Sequence, residues 1–530
     1  MARSVGDVVS GPTRRLVLIA LDAAEPRLIE QWMGDGSLPN LRVLRGRGAY
    51  GRLESSADWL AGSPWPTFYT GTLPSDHGFY HYLRWQADRM QAVRPSPDHL
   101  PLHPFWRQLS GLGPRVIAID PPMTYAAEPF NGVEISGWAS HDGLVPPCVY
   151  PTDVMRWVEQ EVGGSPRTDE EHVALPIQRA FGIRDEQIRA VHMVSKLAVR
   201  LMEKERWDLL LAAFSATHRC GHQLWDHTGL AEQPDSADQS AFGDALREVY
   251  VACDAALGSI VSAAGDSQII AFSLHGMGVE TTRIDILPEM LRRIITGESS
   301  PLPPRKNLLR RVRDWIPNTW RHAVKQRLPV VIQDRLTAFW RLGGANWPRT
   351  RAFCQVADLQ GYIRINLKGR EAAGVVAPGA EFDELCSSIT DGLLTFRDAD
   401  TGEPVVREVV RSDQLFPPGS RRDELPDLLV GWAPSPVAGQ RAIVSPQFGQ
   451  IDLPTPGRNP TGRSGNHRPH GFFIGVGEGF EAGANIEDGH ILDLAPTVYA
   501  MLNLPCPPTM RGRDLRSLSP RGRPMVSEAE

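Results

Sequence analysis

Residues 208–218 read D-L-L-L-A-A-F-S-A-T-H, a continuous apolar run that stops abruptly at polar residues. The pattern recurs in R-L-V-L-I-A-L-D at 15–22 and S-Q-I-I-A-F-S-L-H at 267–275. Each run is too short to span a membrane and lacks the period-two alternation of a half-buried strand. Such runs predict strands buried on both faces, as in a parallel sheet covered by helices. Amphipathic segments alternate with them, among them R-A-V-H-M-V-S-K-L-A-V-R-L-M-E-K at 189–204 and A-L-R-E-V-Y-V-A-C-D-A-A-L-G-S-I-V at 245–261. The predicted fold is therefore α/β, a doubly wound, mostly parallel sheet with helices on both faces. In such sheets ligands bind outside the carboxyl ends of the strands. Asp22, His218 and His275 all fall there, so they can converge despite their separation in sequence.

The chain has 530 residues, 42% hydrophobic and 22% charged, with a net charge of −6. That length exceeds what a single core sustains, so a large insertion or a second domain is expected. The charge balance offers no cationic field for a nucleic-acid polymer or an anionic membrane. The Arg-rich stretches, such as R-K-N-L-L-R-R-V-R at 305–313, read as solvated faces. Six cysteines (148, 220, 253, 354, 386, 506) are scattered without CxxC pairs, which argues against a disulfide framework and a cysteine zinc knuckle. The N-terminus has no apolar signal region and no run approaches about 18 apolar residues. A cytoplasmic protein without a membrane span is expected.

The pattern divides the chain. Residues 1–13 are expected as a flexible tail and 14–290 as the first part of the core. From 291 to 414 a Pro- and Arg-rich stretch with four tryptophans (Trp315, Trp320, Trp340, Trp347) precedes T-R-A-F-C-Q-V and G-Y-I-R-I-N-L-K-G-R-E. This reads as an inserted cap, its tryptophans fitting either an apolar lid or ordinary core. Core-like segments resume over 415–516 with D-L-L-V-G-W, P-H-G-F-F-I-G-V-G and L-D-L-A-P-T-V-Y-A-M-L, and 517–530 reads as a disordered tail.

Five pieces carry chemistry: Asp22; A-G-S-P-W-P-T-F-Y-T-G-T-L-P-S-D-H-G at 61–78; H-R-C-G-H at 218–222; S-L-H-G-M-G at 273–278; and S-G-N-H-R-P-H-G at 464–471. Each has a bland reading. An Asp ending a strand is often a helix cap, Ser63-Pro64 is a good helix start, and His275 before Gly fits a turn. Two histidines four apart share a helix face, close a loop around a metal, or form a polar turn. Their joint occurrence, in this order and at strand ends, is what favours a site.

With these pieces in place, the chain resembles the alkaline phosphatase superfamily. Within it the likeness is to the type I phosphodiesterase/nucleotide pyrophosphatase branch and its phosphohydrolase/phosphomutase relatives. The resemblance runs from L-V-L-I-A-L-D22 to M-R-G-R-D-L at 510–515. Its most specific pieces are S-P-W-P-T-F-Y-T-G-T-L-P-S-D-H-G, G-Y-I-R-I-N-L-K-G-R-E and G-N-H-R-P-H-G. It implies an alkaline-phosphatase-like fold with a two-metal site, where a Ser or Thr attacks phosphorus. Carried over, His218, His222 and His467 fall on the first metal's ligands. Asp22, Ser63, Leu274 and His275 fall on the second's. Thr67, Arg468 and His470 are placed to contact substrate.

Three departures change the chemistry. His218 stands where the family has Asp, Leu274 stands where it has a second Asp, and family spacing would put the nucleophile at Ala61. Ser63 is preferred over Thr67 as nucleophile because it opens a predicted helix, where free amides and the dipole favour a phosphoryl oxygen. Three neutral imidazoles suit one Zn²⁺ with an open position and leave it its full charge. A second divalent ion loses a carboxylate and is expected to bind weakly, or only with substrate; Glu280, Asp226 and His227 are candidates to compensate.

The expected activity is metal-dependent hydrolysis of a phosphomonoester or phosphodiester, on a small-molecule, glycan-linked or lipid-linked phosphate. Catalysis would rest on Ser63, Asp22 and His275. Rival expectations are a phosphomutase or phospho-group transferase on the same fold, and a non-catalytic metal-binding relative. The C/S-x-P-x-R signature of a sulfatase is absent.

Overall fold

A computed structural model describes residues 15–94, 103–124, 129–140, 147–168, 171, 173–299, 332, 346–357, 359–435, 437–457, 459 and 461–518. The expected tails, apart from Leu518 and its neighbour Ser517, lie outside these residues, as do Trp315, Trp320 and Trp340.

The three apolar runs form the centre of a sheet with nine strands among the described residues. Leu16–Leu21 pairs in parallel with Leu209–Phe214 on one side and Gln268–Ser273 on the other. Every residue of the three strands is buried. The pleat sends alternate side chains to opposite faces, so Val17, Ile19 and Leu21 join one core while Leu16, Leu18 and Ala20 join another. The first core is covered by the long helices Ile177–Lys204 and Ser236–Ala264, which contain the two predicted amphipathic segments. The second is covered by Pro64–Thr70, Phe105–Gly111 and Leu494–Met501. A continuous apolar run is what burial on both faces requires.

Across the sheet the order is Asn485–His490, Ala49–Glu54, His470–Val476, Gln268–Ser273, Leu16–Leu21, Leu209–Phe214, Val116–Ile119, Gly132–Ser136 and Cys148–Tyr150. Only His470–Val476 and Cys148–Tyr150 run against the rest. This is the expected alkaline-phosphatase-like architecture, a mostly parallel sheet with helices on both faces. Among the described residues no helix is long and apolar enough to cross a membrane.

A second body grows out after Gln268–Ser273. Its antiparallel sheet has the order Ala352–Cys354, Gly361–Ile365, Leu428–Trp432, Val406–Arg411. The helices Leu287–Thr296 and Ala380–Leu393 pack on it around Ile363, Ile365, Leu385, Ile389, Leu428 and Val430. The return to the central sheet therefore comes later than residue 414. Leu428–Trp432, expected in the core's second part, pairs with Gly361–Ile365 instead. The reason is burial on both faces of a different sheet: Leu428, Val430 and Trp432 face the cap's own core, while Leu429 meets Leu60 and Tyr80 of the main body. Trp347 is half-buried against Trp85 and Phe353, with ring centroids 5.7 and 5.1 Å away.

Candidate metal centre

Leu209–Phe214 ends at Ser215, and the chain turns at once into the helix Ala216–Gln223, all of whose residues are buried. A spacing of four puts His218 and His222 on one face of that helix. Their Nε2 atoms lie 3.1 Å apart. His467 arrives from the far end of the chain on Gly465–Arg468, which pairs antiparallel with Gly276–Val279 so that Met277 stands opposite His467. Its Nε2 lies 2.7 Å from that of His218. Among the described residues this buried trio is the one group of three or more metal-ligating side chains whose donor atoms converge, all within 4.8 Å of one another.

The hydrogen bonds select the ring nitrogens. His222 Nδ1 is 2.8 Å from the Gly465 carbonyl, which only accepts, so Nδ1 carries the proton and Nε2 the lone pair. A tetrahedral ion with bonds of about 2.0–2.1 Å needs nitrogens roughly 3.3 Å apart. The 3.1 Å separation lies about 0.2 Å from that value and the 2.7 Å one is about 0.6 Å shorter. The donor set fits a borderline-soft divalent ion, zinc foremost.

Asp22 follows Leu16–Leu21, held by its N–H to the Phe214 carbonyl (3.0 Å) and by its own carbonyl, which accepts Thr217 Oγ1–H (2.6 Å). Its carboxylate lies between two of the histidines, Oδ2 at 3.5 Å from His218 Nδ1 and Oδ1 at 4.0 Å from His275 Nε2. The His275 ring lies over that of His467, centroids 4.2 Å apart. Asp22, His218, His222, His275 and His467 thus form one buried cluster at the carboxyl ends of the central strands.

Ser63 is fully buried at the start of Pro64–Thr70, where the proline fits the first helical position. Its hydroxyl donates to the Leu60 carbonyl (2.8 Å) and lies 2.5 Å from Ser56 Oγ. Two residues on, Trp65 Nε1–H donates to Asp22 Oδ1 at 2.8 Å. The turn Ser56–Asp58 packs against Gly465–Arg468. The segment carrying Ser63 therefore meets the cluster at both of its ends.

The remaining expected residues have partners of their own. Thr67 Oγ1 is 3.1 Å from His77 Nε2. The Arg468 guanidinium, its pKa pushed down by burial, donates to the His467 and Val279 carbonyls and braces this strand pair. His470 is exposed, across from Glu54 in the neighbouring strand. Leu274 is buried in the apolar core with Phe272 and Phe68. Of the candidates to compensate it, Asp226 caps the turn His227–Gly229, and Glu280 accepts Thr282 N–H at 2.7 Å. Neither Asp226, His227 nor Glu280 belongs to the converging trio.

Sequence reasoning passed over Trp65, Ser56 and Glu25. Glu25 is buried; its Oε2 accepts Met277 N–H at 3.1 Å and its backbone N–H donates to Tyr250 Oη at 3.0 Å. Its place three residues after Asp22, in L-D-A-A-E, was the available signal. Trp65 reads as ordinary core, and nothing in S-P-W-P reveals its partner.

Buried imidazoles and a carboxylate thus lie at the carboxyl edge of a mostly parallel sheet with an alkaline-phosphatase-like architecture. Residues 16–434 match the family model described as type I phosphodiesterase / nucleotide pyrophosphatase. The chain belongs to that family, and with it to the phosphoester hydrolases of the alkaline phosphatase superfamily. Among solved structures, it resembles phosphonoacetate hydrolase from Sinorhizobium meliloti 1021 in complex with phosphonoacetate, at 13% identity and a TM-score of 0.51, covering 93% of this chain and 96% of that one. It is also similar to murine ectonucleotide pyrophosphatase / phosphodiesterase 5 in complex with AMP, at 11% identity and a TM-score of 0.48, covering 95% and 99%. Comparison with curated proteins gives no match.

Proposed function

We propose that the protein is a metal-dependent phosphoester hydrolase whose ion is zinc, held by His218, His222 and His467, and whose nucleophile is Ser63. The observation that carries the reading is the convergence of three buried Nε2 atoms from two remote parts of the chain. A cation between them would accept all three Nε2 lone pairs at once, which a proton shared between two of the rings does not. When bound, such an ion supplies positive charge that polarises a phosphoryl oxygen.

Ser63 forms the covalent link in this scheme. Its Oγ attacks phosphorus, an Oγ–P bond forms, and the ester P–O bond breaks. The hydroxyl proton ends on the departing alcohol, and His275 is the group proposed to carry it. Water then opens the Oγ–P bond, releases the phosphoryl product and restores the hydroxyl. The reading is supported by the family and by the contacts of Trp65 with Asp22 and of Ser56 with Ser63. Substrates are small-molecule phosphoesters, or glycan- or lipid-linked phosphates. A cytoplasmic location is supported by cysteines scattered along the sequence without CxxC pairs.

The test pairs metal content with hydrolysis of chromogenic phosphomonoesters and phosphodiesters. Wild type should turn over and lose activity with chelator. His467→Ala should lose both metal and activity, and Ser63→Ala should keep metal but lose turnover about a thousand-fold or more. Unchanged turnover in Ser63→Ala removes that residue from the nucleophile role. Stoichiometric zinc with no turnover on any ester favours a non-catalytic relative.

A further inference from the structure

Trp65 and Leu274 occupy the surroundings of Asp22 in a way that a two-ion centre does not tolerate. Trp65 Nε1–H donates to Asp22 Oδ1 at 2.8 Å. An indole N–H is a donor only and cannot ligate, so the oxygen it engages is turned to a neutral partner. Leu274, beside His275, lies in the apolar core that also contains Trp65, Phe68 and Phe272. Among the described residues, a second ion placed here would find the Asp22 carboxylate, already hydrogen-bonded through Oδ1, the neutral ligand His275 and an apolar wall. It would also face the charge of the first ion without the carboxylates that normally offset such repulsion.

The other carboxylate oxygen has a different geometry. Asp22 Oδ2 is 3.5 Å from His218 Nδ1, on the opposite side of the ring from the Nε2 that meets His467 and His222 at 2.7 and 3.1 Å. At this ion-pair distance the carboxylate favours a proton on Nδ1 electrostatically, which leaves Nε2 its lone pair for an ion. Thr217 and Phe214 anchor the Asp22 backbone, and Trp65 fixes the carboxylate rotation. Position 218 then explains itself: a histidine in place of an aspartate reaches the ion and leaves a second nitrogen for Asp22.

We propose that the centre holds a single divalent ion, that Asp22 orients His218 instead of ligating, and that Trp65 stands where a second ion would need the Asp22 oxygen. This rests on reading the three histidines as a metal site. Asp22 is on this account a positioning residue.

The experiment counts ions and follows their affinity. Apo wild-type protein is saturated with Zn²⁺, freed of excess and weighed intact by native mass spectrometry, with calorimetric titration alongside. One ion per chain is expected. Asp22→Asn should still bind one ion, about 10–100-fold more weakly, the range seen when such orienting partners are removed. Co²⁺-loaded Asp22→Asn should retain three-nitrogen absorption bands with altered intensity. Leu274→Asp alone should still hold one ion, and Leu274→Asp combined with Trp65→Phe should gain a second. Two ions in wild type overturn the proposal while leaving the three-histidine reading intact. No ion in wild type overturns both. Wild-type affinity in folded Asp22→Asn overturns the positioning role, and if that variant does not fold, the wild-type count still decides the single-ion claim.

Discussion

The Glu25 carboxylate reaches across from the Asp22 loop and accepts the Met277 backbone N–H at 3.1 Å, directly opposite His467 in the antiparallel strand pair. One buried acid thereby ties the first strand's loop to the strands that carry His275 and His467. The fit is close: a Cβ built on Gly276 would come within 2.3 Å of Glu25 Oε2 and 2.9 Å of the His470 carbonyl. Glu25→Ala leaves a buried N–H without its acceptor, which costs about 1–3 kcal/mol. We expect zinc affinity to fall about ten-fold in Glu25→Ala, as measured by titration against a chelator. Glu25→Gln keeps an acceptor oxygen and should stay within about three-fold of wild type. Gly276→Ala should resemble Glu25→Ala, because the added methyl displaces the carboxylate.

Glu280 sets a pH dependence. It is 1% exposed, and burial raises its pKa despite hydrogen bonds from Thr282 and Asn466 and the nearby charges of Arg463 and Arg468. A folded pKa above the unfolded one means that the native state holds its proton more tightly. The stabilisation this gives is present below the ordinary carboxyl range and is lost as pH rises through the raised value. Glu280→Gln keeps an acceptor oxygen for Thr282 and Asn466 and cannot ionise. In metal-free protein, the Tm of Glu280→Gln relative to wild type should therefore increase from pH 5 to pH 8. A difference that shrinks with pH contradicts the assignment.

The second, four-stranded sheet reaches the segment that carries Ser63. Leu60, whose carbonyl accepts the Ser63 hydroxyl, packs with Tyr362, Phe416 and Leu429. Gln360 Nε2–H donates to the Ala57 carbonyl at 3.0 Å. Leu429→Ala should destabilise the protein by about 2–5 kcal/mol, the usual range for a fully buried leucine. Gln360→Ala should be milder in stability and visible in rate: kcat on a phosphodiester chromogen should fall about ten-fold, equivalent to ~1.4 kcal/mol, with zinc content unchanged. Loss of zinc in Gln360→Ala would place the effect at the metal instead of the hydroxyl.

The sequence is legible where burial is simple. Leu16–Leu21, Leu209–Phe214 and Gln268–Ser273 read as central strands because both faces are covered, and the structure places them side by side. Leu428–Trp432 has the same signature for the same reason, yet belongs to the cap, since periodicity reports burial and not the sheet that supplies it. His218 and His222 are legible from helical spacing. His467 is not, because a strand pairing far along the chain leaves no local trace, and only the resemblance pointed to it. Trp65 and Glu25 were missed because each role depends on a single atom meeting a distant residue. Neither residue type nor spacing encodes that meeting.

The central claim is that His218, His222 and His467 surround one cation. The most direct measurement is diffraction from zinc-loaded crystals on either side of the zinc absorption edge, which locates the ion by its anomalous signal. The account predicts one peak per chain, about 2.0–2.1 Å from the Nε2 atoms of all three residues. A peak elsewhere, or the three imidazoles left without one at full zinc loading, would contradict it.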